Sequence, residues 1–166
     1  LGAHWLEPGT PFCGVKEIDR GYAPRLFSGD AAIRHIGEGL LACTLDKAEW
    51  THEAHLAATL WIIVERPEIR PEAELPAIIR RYNESVGGVN DDTQGYHETI
   101  TQCFIRGVRR YLTREAVDLP LSDNVNGLLL APEGRRDWPL YFYSRARLFS
   151  VSARRAYVEP DIQPLP

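Results

Sequence analysis

The 166-residue chain, 44% hydrophobic and 25% charged, has the size and composition of one globular domain, large enough to stay folded without disulfides or metal. Three widely spaced cysteines, Cys13, Cys43 and Cys103, form no CxxC pair, which excludes a disulfide framework and predicts reduced thiols in the cytoplasm. No run approaches the ~20 apolar residues of a membrane span, no secretory signal is visible, and a net charge of −4 with scattered arginines predicts neither a membrane nor a nucleic-acid partner.

Residues 1–29 carry Pro8, Pro11, Pro24 and several glycines without periodicity, and are expected to form an irregular arm. His4 and Cys13 lie there with no element to hold them as a ligand pair. The remainder, 30–166, is expected to be a single all-α domain, a compact bundle-like arrangement of five to seven helices. Asp30 suits an N-cap, and Ile33, Ile36, Leu40 and Leu41 follow at helical spacing to about Cys43. His35 in that helix has no ligand type at i+3 or i+4 and reads as a surface or satisfied histidine.

Asp46 and Glu49 resemble a capping box opening a second helix, which Arg66-Pro67 should stop near Glu65. A third helix is expected from about Glu72 to Ser85, with Pro76 tolerated in its first turn. Residues 86–95 read as a loop, with Asp91 and Asp92 as turn formers that can also line a pocket mouth. A fourth helix follows from about Tyr96 to Arg114. Its Arg106, Arg109, Arg110 and Arg114 share a stripe near the C-terminus, where positive charge suits the helix dipole.

Pro120 and residues 122–127 read as another loop before a short apolar stretch, Leu128 to Ala131. The aromatic run Trp138 to Tyr143 is expected to begin a helix, Ser150 or Ser152 to cap a short final one through Tyr157, and Pro160, Pro164 and Pro166 to keep the tail non-helical.

Three of the five histidines fall in two short segments, Trp50-Thr51-His52-Glu53-Ala54-His55-Leu56 and Tyr96-His97-Glu98-Thr99-Ile100-Thr101. His52 and His55, three residues apart, project from one helix face. His97, at the start of another helix, can approach them if the two helices pack, and Glu98 follows it about 100° around the helix. Such a set suits a mononuclear divalent transition metal, zinc, iron or nickel, with His52, His55, His97 and Glu98 as ligands and Glu98 as general base. Glu49-x-x-His52 has the spacing of di-iron bundles, but only one copy exists. Tyr96 and Thr101 are candidate donors that orient the imidazoles, Glu49 a further carboxylate, and Tyr143, Arg145 and Arg147 a candidate anion-binding edge.

These two segments, with the C-terminal Tyr143-Ser144-Arg145-Ala146-Arg147-Leu148-Phe149-Ser150 and the run from Val158 to Pro166, resemble those of a family of uncharacterised bacterial helical proteins over most of residues 30–166. The resemblance implies a helical fold and supports the choice of segments, but implies no reaction. Three readings follow: a metal-dependent enzyme acting on a small molecule, a non-catalytic small-ligand or metal-binding protein, or a structural, partner-binding helical domain without metal.

Overall fold

A computed structural model describes residues 23–115 and 118–166. The architecture is all-helical, without strands among the described residues: α1 (Asp30–Ala42), a 3-10 turn (Lys47–Glu49), α2 (His52–Glu65), α3 (Pro71–Ser85), α4 (Glu98–Glu115), α5 (Leu121–Leu130), 3-10 turns at Pro132–Gly134 and Trp138–Tyr141, then the short α6 (Arg145–Leu148) and α7 (Val151–Arg155). No helix among the described residues is long and apolar enough to cross a membrane. The expected arm lies mostly in residues 1–22, outside the described residues, as do His4 and Cys13.

The central element is α2. Every residue from His52 to Ile62 is buried, so this helix is enclosed all round rather than amphipathic. Helix α1 packs along it through Gly37, where a Cβ would lie 2.1 Å from the Trp61 ring. The missing side chain is what lets the indole lie on the α1 backbone. Trp61 then donates its Nε1–H to Glu65, which also receives Arg34 through two hydrogen bonds, so the α1–α2 contact closes in an ion pair at its rim. Among the described residues a hydrophobic cluster runs from Ile33 through α2, α3 and α4 to Leu148.

The main helices fall close to where periodicity and proline place them, and the local chemistry refines their ends. Asp46 caps only the 3-10 turn, through Ala48 N–H, while α2 starts two residues past Trp50 with Thr51 as its cap through Ala54 N–H. Asp30 is the first residue of α1 and not its cap; its carboxylate instead accepts Ser122 N–H. The expected loop at 122–127 is helical. Its polar residues are spent on tertiary bonds: Asn126 brackets Phe27 through both backbone groups, and Gly127 admits the Tyr111 hydroxyl, which would lie 2.1 Å from a Cβ there. The aromatic run at 138 gives one 3-10 turn, and Ser144 and Ser150 cap the two short helices that follow.

Two devices lock the bundle's far side. Glu133, 1% exposed, receives Arg110 Nε–H at 3.1 Å and Arg114 Nη1–H at 2.8 Å, both from α4. The C-terminal segment is held mainly through its backbone: Thr99 donates to Ala156 O and accepts Val158 N–H, Tyr143 donates to Val158 O, and Arg147 donates to Glu159 O. Asp161 adds a carboxylate that accepts Ser144 N–H and Oγ–H.

Filling the notch in α1 should be costly. Gly37→Ala is expected to destabilise the protein by about 1–3 kcal/mol, the usual penalty for forcing a packed core apart, measured by urea denaturation. The same substitution at Gly29, where a Cβ meets nothing within 4 Å, should have far less effect.

Candidate functional site

The histidines are buried because the helix ends carrying them are buried. His52 opens α2 and His97 directly precedes α4, so both rings leave water where backbone groups still need partners. His52 donates its Nε2–H to Gly134 O at 2.8 Å, with its ring edge-on to Phe104 at 5.4 Å. His55 donates its Nδ1–H to Thr51 O at 2.6 Å and lies against Trp50, ring centroids 3.7 Å apart. Carbonyl oxygens only accept, so these bonds fix the tautomers of the neutral rings: Nδ1 is the acceptor in His52 and Nε2 in His55.

His97 is committed on both sides. Its Nε2–H donates to Leu148 O at 2.9 Å, and its Nδ1 accepts Ile100 N–H at 3.3 Å. It pins the opening of α4 to the end of α6. Phe104, the neighbour of His52, lies seven residues further along α4 than His97, about 10 Å along the axis. His97, at the opening of α4, has both ring nitrogens bonded to backbone groups. Among the described residues no group of three or more His, Cys, Asp or Glu side chains is arranged to hold a metal.

The other candidates also have local occupations. Glu98 accepts Tyr96 O–H at 2.8 Å on one oxygen and Gln102 Nε2–H at 2.8 Å on the other. Burial, reinforced by the Glu98 charge, raises the Tyr96 pKa, so its hydroxyl stays a donor. Thr101 donates to His97 O within its own helix turn, rather than to an imidazole. Glu49 pairs with His35 at 3.0 Å on the surface. Tyr143 and Arg147 grip the C-terminal backbone, at Val158 O and Glu159 O, and Arg145 stacks on Phe149. Asp91 closes its own turn by accepting Thr93 and Gln94 N–H, and Asp92 pairs with Arg155.

One residue absent from the sequence-based set is Glu53, buried between the two α2 histidines and accepting Arg25 N–H at 3.4 Å. The signal available was its position, a carboxylate in the first turn of a helix flanked by imidazoles; an acid there is ordinarily read as exposed and dipole-favoured. With His52 and His55 it gathers three buried ionisable side chains in the first turn of α2, beside the partly buried Trp50. Compared with known proteins, the chain matches no family model, no curated protein and no solved structure.

Burial pushes the His52 and His97 pKa values down to about 4, with Arg154 adding to the effect at His97. Both rings are thus folded as neutral imidazoles, while the unfolded chain binds protons from about pH 6.5 downward. Their contribution to stability is present above that value and is lost as pH falls through the interval to about 4. Each should add up to about 1.4 kcal/mol per pH unit to the slope there. Urea denaturation at pH 7, 6 and 5 should show this fall, and His97→Asn should flatten it.

Proposed function

We propose that this chain is a helical protein that binds a small polar molecule at the opening turn of α2, with His52 and His55 as paired acceptors and Glu53 as the charge beside them. The observation carrying this reading is how each imidazole spends its N–H. Both are donated to backbone carbonyls, at Gly134 and Thr51, and from opposite ring nitrogens. A ring held this way has a fixed acceptor nitrogen and little freedom to turn, which is what a preorganised acceptor or base requires. The low pKa of His52 supports the reading, because the ring is a neutral imidazole at physiological pH.

A metal-dependent enzyme is the second reading. It is favoured by the same observation, since metal-ligating imidazoles ordinarily donate their other N–H to a carbonyl or carboxylate. In that case His52 Nδ1 and His55 Nε2 supply the protein nitrogens and Glu53 is the nearest carboxylate in sequence. His97 and Glu98, first candidates for the set, are more simply understood as the fastening of α4. The free thiols of Cys43 and Cys103 fit a reducing, cytoplasmic setting.

A thermal-shift survey of carboxylates, amines, sugars and divalent ions on the full chain separates the readings. A ligand at a hundred times its dissociation constant should stabilise by about 2.7 kcal/mol, a shift of several degrees. Under the first reading an organic compound gives that shift and His55→Gln abolishes it. Under the second, zinc or cobalt gives it at one equivalent, again lost in His55→Gln. Shifts that are the same in wild type and His55→Gln would end both.

A further inference from the structure

The arginines on the last turns of α4 do more than offset the helix dipole. Arg106, Arg109, Arg110, Thr113 and Arg114 line, with Pro166, an open surface groove of about 500 Å³, a size within the range of small-molecule sites. Residues 106, 110 and 114 are one helical turn apart in succession, so their guanidiniums lie along one edge.

The four are not equally committed. Arg109 is held by both oxygens of Glu72 on α3. Arg114 is held by both oxygens of the buried Glu133 and by Glu115. Arg110 gives Glu133 its Nε–H, leaving the four N–H bonds of its Nη groups outside that contact. Arg106 makes no salt bridge among the described residues and stacks over Tyr157, 5.1 Å from the ring centroid. Stacking uses the face of a guanidinium and leaves its donor edge. Glu72, Glu115 and Glu133 are the carboxylates that hold Arg109, Arg110 and Arg114, while Arg106 has no carboxylate among its contacts in the described residues. Because the partners of Arg109 and Arg114 already fix those side chains, a ligand need order little to use their field.

We propose that this groove is a binding site for a small molecule carrying a phosphate or sulphate group, gripped by Arg106 and Arg110. Guanidinium edges match the oxygens of such a group two at a time. The proposal does not rest on the reading of the opening of α2, and Arg106, the residue its test replaces, is not among the partners of Glu133.

The experiment is an NMR titration of the full chain with inorganic phosphate and, separately, pyrophosphate, following the arginine Nε–H signals. Saturable one-to-one binding is expected, with the shifts centred on Arg106 and Arg110. Arg106→Gln should raise the dissociation constant about tenfold, or about 1.4 kcal/mol, while Arg81→Gln, which removes a guanidinium on α3 engaged with Leu41 O, should leave it unchanged. Linear, non-saturating shifts, or equal weakening by the two substitutions, would overturn the proposal and leave only diffuse charge. Arg106 is exposed, so its replacement should keep the fold, and an unchanged melting temperature checks this.

Discussion

The carboxylate of Glu133, enclosed at the side of α4, is the constraint on which much of the remaining structure rests. A buried charge is tolerated only with close, hydrogen-bonded partners. Arg110 and Arg114 supply them, and so fix the Pro132–Gly134 turn against α4. That turn also lies directly on the α5 backbone, close enough that a side chain at Gly134 would meet Leu128 O at 2.1 Å. Its carbonyl is therefore a fixed acceptor, and His52, from the central helix, is oriented by it. The ion pairs of Glu133 thus connect to the ring of His52 at the opening of α2 through a single residue of backbone.

The same logic organises the other end of α4. His97 joins α4 to α6 by accepting from one backbone group and donating to another, and Thr99 splices the C-terminal segment onto the same turn. Imidazoles here work as neutral connectors between helix ends, where unsatisfied main-chain groups concentrate. This accounts for their depth of burial and for the low pKa values at His52 and His97.

Much of the helical framework was legible in the sequence, because period-3.6 apolar positions and prolines act locally. Pro67 and Pro71 bracket the break between α2 and α3, and Ser150 caps α7 as its side chain predicts. Helix α5 was not legible. Ser122, Asp123, Asn124, Asn126 and Gly127 have turn composition, and only the tertiary demands of Phe27 and Tyr111 explain them in a helix. The candidate site was half legible for a related reason. Histidine spacing correctly marked the buried segments, but the partners of those rings are carbonyls of Thr51, Gly134 and Leu148, and a carbonyl leaves no trace in residue identity. Glu53 was overlooked because enclosure of all faces of α2 is a property of the assembled bundle.

The fastening of the C-terminal segment has a consequence for how its sequence can drift. Thr99, Tyr143 and Arg147 read main-chain groups of Ala156, Val158 and Glu159, so what they recognise is the path of the chain rather than the letters along it. Tail side chains add their own contacts: the Asp161 carboxylate accepts from Ser144, Gln163 donates to Tyr141 O, Arg106 stacks on Tyr157, and Val158 and Leu165 pack against the core. Positions 156 and 159, which are held there by main-chain oxygens, are therefore the ones where the tail can change identity while keeping its path, whereas 157, 158, 161, 163 and 165 carry side-chain contacts of their own.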